Sequence, residues 1–326
     1  STNGRGLIEL NGADNVTIDG DNPNTIGTNR NLTITNGATN TTTYTSVIRF
    51  ALSTLVSTGN NNTVKNCIIN GSATGRNIST ATSTTGTEHT TYGILVGGGA
   101  STLSATTAPS AITSVNTTIG SGITITSFTA DNNQITACAR GIAVQGSATT
   151  VANLLNISNN VIGSSTSGNT TTVYSRGMTL QGFDNATIAG NTIRNIESYL
   201  ATAIFGIGLG EVSASGQNAI VEKNIIIKMF SQNPTTYGVH GIALAAGTSN
   251  TVRNNFISDL NHVMTGGAAF GSTFGVNGIR ISSSTNHKIY YNTVSLFGTF
   301  PGTAASSLSS ACLLISSTSL TGIDCR

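Results

Sequence analysis

The chain has 326 residues, a formal net charge of +2 and only 8% charged residues, about a third of the usual globular share. It carries 91 Ser and Thr, 36 Asn and 38 Gly, all poor helix formers, so a helical protein is excluded; 37% apolar residues exclude a disordered chain. Scattered Lys and Arg argue against a nucleic-acid groove, and no run of 18 apolar residues exists to insert into a membrane.

In chain order, the first short alternating runs are Asn15-Val16-Thr17-Ile18, Asn31-Leu32-Thr33-Ile34, Val47-Ile48-Arg49-Phe50 and Thr63–Ile69. Period-2 alternation over so few residues predicts strands. Residues 73–128 are dominated by Ser, Thr and Gly, with Ile94–Val96 and Ile123–Ile125 as strands. They read as one or two irregular coils with long lateral loops. From there a repeat takes over. Gly-apolar-x-apolar recurs at Gly141, Gly177, Gly206, Gly241 and Gly278, with an earlier copy at Gly93. Each of the five is followed by apolar-x-x-Asn-x-apolar, placing Asn160, Asn191, Asn224, Asn255 and Asn292 in one column, with Asn133 as a looser earlier member. The Asn positions lie 27, 31, 33, 31 and 37 residues apart.

Strands recurring at such intervals in one register predict an all-β fold, a parallel β-helix in which like residues of successive coils stack. At about 33 residues per coil the chain makes roughly ten coils, a rod of about 45–50 Å at ~4.8 Å per coil. Residues 1–326 read as a single β-helix domain, and the lack of a polar cap at either end reads as an internal segment of a longer chain. The Asn column is expected to form a buried amide ladder at a bend. Cys67 takes the equivalent place as a small buried residue without a polar partner, and the Gly column suggests positive φ or close backbone approach.

The segments Asp14–Gly20, Asn31–Asn36, Val47–Phe50 and Asn61–Cys67, with Asn254–Ile257 and Tyr291–Val294 later, resemble the right-handed parallel β-helix repeat regions of large secreted Bacteroidetes surface proteins. That resemblance implies export by a type IX secretion system, hence secretion machinery as a partner, and an extracellular or cell-surface location. It implies adhesin stalks, carbohydrate-binding modules or carbohydrate-cleaving scaffolds rather than one activity, with glycans or other surface proteins as binding partners.

Chemistry is sparse. β-Helix lyases and glycosidases need converging carboxylates, and only 12 acids exist. Asp131, Asp184 and Glu197 are the weak catalytic candidates, while Glu222 aligned with Arg253 reads as a surface ion pair. Asp14, Asp19 and Asp21 form the acidic cluster that could hold Ca²⁺, although the same residues suit a tight turn; no other cofactor is expected. His89, His240, His262 and His287 lack metal-ligand spacing. The position before the Gly column mixes Arg140, Arg176, Phe205, His240 and Asn277, which reads as a solvent-facing row. Cys67 and Cys138 are expected as buried thiols, and a Cys312–Cys325 disulfide is possible. Thr-x-Thr pairs do not persist from coil to coil, so ice binding is not indicated. The expected function is a non-enzymatic extracellular structural or adhesive module. A carbohydrate-active enzyme or a carbohydrate-binding module is the alternative.

Overall fold

Short strands of β-branched residues separated by Asn, Gly and Ser corners cannot bury an apolar face alone, so each coil lies on the one before it. In a computed structural model of the protein the described residues are 2–38, 44–53, 58–72, 91–97, 109–112, 125–146, 151–168, 171–198, 202–211, 216–232, 238–262, 275–297 and 310–326. Their strands form three sheets, each ordered along the chain and paired in parallel throughout, which is a right-handed parallel β-helix.

The first sheet has nine strands, running from Gly6–Asn11 through Arg140–Gln145, Arg176–Gln181 and Ile204–Leu209 to Ser310–Ile315. The second follows one path from Thr17–Asp19 to Asp324–Cys325, and the third runs from Leu32–Thr35 to Thr293–Ser295. One first-sheet strand per coil gives about nine coils among the described residues, close to the roughly ten expected. The early coils are longer than the average period allows: Ser46 pairs with Tyr92 and Tyr92 with Arg140, steps of 46 and 48 residues. Tyr92–Val96 is in register on both sides, so within 73–128 it continues the stack. Of the lateral loops expected at 73–90 and 98–118, only 109–112 are among the described residues; Glu88, His89 and residues 113–124 lie outside them.

Register converts sequence columns into a core. Ile142, Met178, Ile207, Ile242 and Ile279 stack in the first sheet, Ile157, Ile188, Val221, Val252 and Ile289 in the second, and Ile162, Ile193, Ile226 and Ile257 in the third. These residues belong to one apolar cluster extending from Ile34 to Ile289. Each fully buried side chain of this size contributes about 1.5–3 kcal/mol.

Two columns of left-handed residues turn the chain at the edges of the second sheet. Asn15, Asn61, Asn218 and Asn286 stand just before its strands, and Asn185 within the strand Phe183–Ala189, with φ between 54° and 61°; Asn66, Asn132, Asn159 and Asn254 stand after it with φ between 51° and 58°. Asn enters this region at lower cost than other side-chain-bearing residues, because its short amide bonds locally. Each residue of the second group comes directly before a position in the ladder column: Asn66-Cys67, Asn132-Asn133, Asn159-Asn160 and Asn254-Asn255. The Asn-Asn pairs therefore divide their labour, the first turning the backbone and the second turning inward.

The glycine column has a different cause. Gly141, Gly177, Gly206, Gly241 and Gly278 do not have positive φ, so of the two expected reasons close approach is the one that applies. A Cβ on Gly206 would lie 2.6 Å from Gly241 O and 2.7 Å from Ile226 Cγ2, and the other four positions are equally crowded. Third-sheet Ile162, Ile193, Ile226 and Ile257, and Val294 at Gly278, pack against bare first-sheet backbone.

Candidate functional site: ladders and the outer face of the first sheet

From Asn133 to Asn255 every inward Asn of the main ladder has both amide N–H groups and its Oδ1 engaged, while Asn292, the last member, donates only to Val252 O. The Oδ1 of Asn224 accepts both the backbone N–H and the side-chain Nδ2 of Asn191, at 3.0 and 2.9 Å. Its own Nδ2 donates to Ile188 O at 2.9 Å and to Asn255 Oδ1 at 2.9 Å. The pattern repeats through Asn133, Asn160, Asn191, Asn255 and Asn292, with Asn–Asn distances of 2.9–3.0 Å. At the upper end Cys67 N–H donates to Asn133 Oδ1. The Cys67 thiol is not without a polar partner, as expected from sequence, because it lies 3.1 Å from Lys65 O. Burial pushes that thiol up to about 11, with Asp19 adding to the shift, so it remains protonated at neutral pH.

A second inward column, before the second sheet, was not anticipated because it is chemically mixed. Asn62 Oδ1 accepts Val16 N–H, Asn250 Oδ1 accepts Ala219 N–H, and His287 Nδ1 accepts Asn250 N–H at 3.1 Å. Only register, with Lys288 beneath Thr251, reveals that His287 occupies an Asn position. The Nδ1 must be unprotonated to accept, and burial holds this imidazole below its ordinary 6.5. A base depressed on folding contributes stability that is present above about pH 6.5 and lost as pH falls towards the folded value. His287→Asn keeps an acceptor for Asn250 and should flatten the part of the pH dependence that His287 supplies. Urea midpoints at pH 7.5 and pH 5 should differ less in the variant than in the parent, and equal differences would refute the assignment.

The outer face of the first sheet corrects the solvent-facing expectation. Arg140, Arg176, Phe205, His240 and Asn277 are 0–6% exposed. Register still makes them one row, but they form a stacked series rather than a solvated one. The Arg176 guanidinium lies 4.4 Å from the Phe205 ring centroid, Phe205 stacks on His240 at 5.3 Å, and Asn277 Nδ2 is 3.2 Å from His240 Nδ1. Arg176 forks onto Glu211 Oε1 and donates to Ala203 O. Burial alone would raise the Glu211 pKa, but Arg176 and Arg140 outweigh it and hold the carboxyl below the usual range. At the other end Arg49 is fully buried, paired with Glu9 at 3.2 Å and donating to Ser110 O at 2.6 Å. Ile112 packs there on Tyr92, Leu95 and Ala143, so residues 109–112 cover this end of the sheet. Period-2 alternation places these residues outside the core but does not show their cover, Ala203 and Glu211 against Arg176 and residues 109–112 against Arg49 and Tyr92.

The acidic candidates do not converge. Asp131 accepts from Ser158 Oγ and Asn159 Nδ2, and Asp184 accepts from Asn218 Nδ2 elsewhere on the second sheet. Glu197 belongs to the third sheet, where it accepts Gly168 N–H and Gln232 Nε2. It lines a cavity of about 200 Å³ with Asn195, Lys228, Asp259 and Asn261, but its two oxygens are already used. Asp19 and Asp21 share one turn, whereas Asp14 accepts Asn60 N–H at the opposite corner. Asp19 is bound by Asn66 Nδ2 and paired with Lys65, and Asp21 accepts Asn29 N–H. Among the described residues no three His, Cys, Asp or Glu side chains come together. Glu222 and Arg253 do pair, at 2.7 Å, with Arg253 44% exposed; such a pair contributes about 0–1 kcal/mol. Cys67 and Cys138 are buried, while Cys312 and Cys325 are exposed free thiols on the last coil. No helix among the described residues is long and apolar enough to cross a membrane.

No family model and no curated protein matches the chain. Among solved structures it is similar to endopolygalacturonase I from Stereum purpureum in complex with galacturonate, at 13% identity, with 96% of this chain and 95% of that chain covered and a TM-score of 0.22. It is also similar to PfbA, a surface adhesin of Streptococcus pneumoniae, at 12% identity over 86% of this chain and 80% of that one, TM-score 0.27. The parallel β-helix assignment rests on the sheet register described above, and these likenesses leave the function open.

Proposed function

We propose that the chain is a stiff, non-catalytic extracellular module, a structural or adhesive segment of a surface protein exported by a secretion system. The carrying observation is the unbroken Asn ladder from Asn133 to Asn292, which ties six consecutive coils through buried bonds along the axis. Backbone ladders in three sheets and stacked Ile and Val add to that stiffness. The candidate acids Asp131, Asp184 and Glu197 serve as hydrogen-bond acceptors that hold neighbouring coils or corners. Incubating the purified chain with pectins, alginate and host glycans should release no products. Sustained cleavage abolished by Asp184→Asn or Glu197→Gln would overturn the reading in favour of a carbohydrate-active enzyme.

A further inference from the structure

The third sheet carries a recess that the scaffold role does not use. In three successive coils two residues, not one, separate neighbouring core positions: Arg194-Asn195 between Ile193 and Ile196, Ile227-Lys228 between Ile226 and Met229, and Ser258-Asp259 between Ile257 and Leu260. Asn195, Lys228 and Asp259 absorb the extra residue in the left-handed region, with φ of 50°, 56° and 54°. Such a kink re-aims the side chains on either side of it, as a bulge does. Register then stacks Glu197, Phe230 and Asn261 in the row beyond the kink. Both rows, with Ser167 and Met229, line one cavity of about 200 Å³. It crosses three coils, about 10 Å along the axis at ~4.8 Å per coil.

Part of this lining is already engaged. Asn195 accepts from Ser167 Oγ and donates to Ser164 O, both at 2.7 Å, and Glu197 accepts Gly168 N–H and Gln232 Nε2. The rest is free. Lys228 and Asp259 lie one coil apart, yet among the described residues their side chains form no ion pair and no hydrogen bond. Asn261 uses its Oδ1 on His262 N–H and leaves its Nδ2 without a partner. Phe230, half-buried, adds an apolar surface. A free anion, a free cation and a free amide donor in one small space suit a ligand whose polar groups both donate and accept, as hydroxyls do. A ligand of one net charge would be drawn to one of Lys228 and Asp259 and repelled by the other. The volume of about 200 Å³ is below the ~300–1,000 Å³ of drug-sized sites and takes one ring rather than a chain of them. We propose that the recess binds a single neutral saccharide unit, its hydroxyls donating to Asp259 and accepting from Lys228 Nζ and Asn261 Nδ2, with an apolar ring face on Phe230. This site and the scaffold role fail separately: release of glycan products would overturn the non-catalytic reading, and absence of binding would overturn only the site.

The test is saturation-transfer NMR titration of the full chain with methyl β-glucoside, methyl β-galactoside and methyl α-mannoside, beside glycine and sodium acetate. At least one glycoside should bind saturably through its ring protons, with glycine and acetate weaker by about tenfold or more. Asp259→Asn, whose side chain tolerates the left-handed backbone, should weaken that glycoside by about tenfold, as expected for a lost hydrogen bond to a charged group. Phe230→Leu should also weaken it, and Asp184→Asn, on the second sheet, should leave it unchanged. Should Phe230→Leu fail to fold, Asp259→Asn and Lys228→Asn decide the matter, since neither parent side chain has a hydrogen bond of its own to lose. Saturable binding of none of the three glycosides, or an undiminished affinity in Asp259→Asn, overturns the proposal. Glycine bound as tightly as the glycoside would make this a site for a zwitterion and overturns it likewise.

Discussion

Replacing Asn224 by Leu should lower the free energy of unfolding by about 3 kcal/mol, because the change orphans groups in both adjoining coils. Leucine is close in volume, so little of the effect is a cavity. The loss is polar: Asn191 N–H and Nδ2 lose their acceptor, and Ile188 O and Asn255 Oδ1 lose a donor. All of these atoms are in a region without solvent, with Asn191, Asn224 and Asn255 0–1% exposed. Because one bond in the column polarises the next, a second substitution at Asn191 should cost less in the Asn224→Leu background than in the parent. Urea-induced unfolding of the two single variants and the double variant measures both quantities. An Asn224→Leu midpoint within error of the parent would mean that the amides contribute nothing net to the stack.

The column behind that expectation was legible because one residue type repeats at one place in the coil. Ile, Gly and Asn positions could be aligned by eye, and Glu222 opposite Arg253 followed from the same alignment. The second ladder was not legible, since Asn62, Asn250 and His287 share a role but not a side chain, and Phe128, Leu155 and Ala186 interrupt them. Period-2 patterning likewise separates inside from outside but says nothing about cover. For that reason the pattern points to solvent at Arg140, Arg176 and His240, whereas their burial and, at Arg176, the contacts with Glu211, Ala203 and Phe205 show otherwise. The estimate of roughly ten coils comes out slightly high because an average period does not register that the steps from Ser46 to Tyr92 and from Tyr92 to Arg140 are longer than the rest.

Gly206→Ala and Gly208→Ala, two residues apart on one strand, should have opposite consequences. At Gly206 the added methyl would sit 2.6 Å from Gly241 O and 2.7 Å from Ile226 Cγ2, both inside contact distance. The carbonyl belongs to the backbone of the next coil and cannot retreat without separating the adjacent strands at Phe205–His240 and Ile207–Ile242. Trimming Ile226 to Ala would relieve the side-chain contact and leave the carbonyl where it is, so the pair of changes should not restore stability. A loss of about 3 kcal/mol or more is expected, at the upper end of ordinary overpacking because the obstacle is main chain. At Gly208 the nearest atom to a new Cβ is Glu211 Oε2 at 3.5 Å, an ordinary contact, and φ is not positive. There the lost freedom of the unfolded chain should dominate, leaving stability unchanged or raised by about 0.4–1 kcal/mol. Since both substitutions add the same methyl to the same strand, differences in intrinsic propensity cancel in the comparison. Matching urea midpoints for the two variants would show that neighbouring coils yield readily, and the third-sheet isoleucines would then not be what keeps this column glycine.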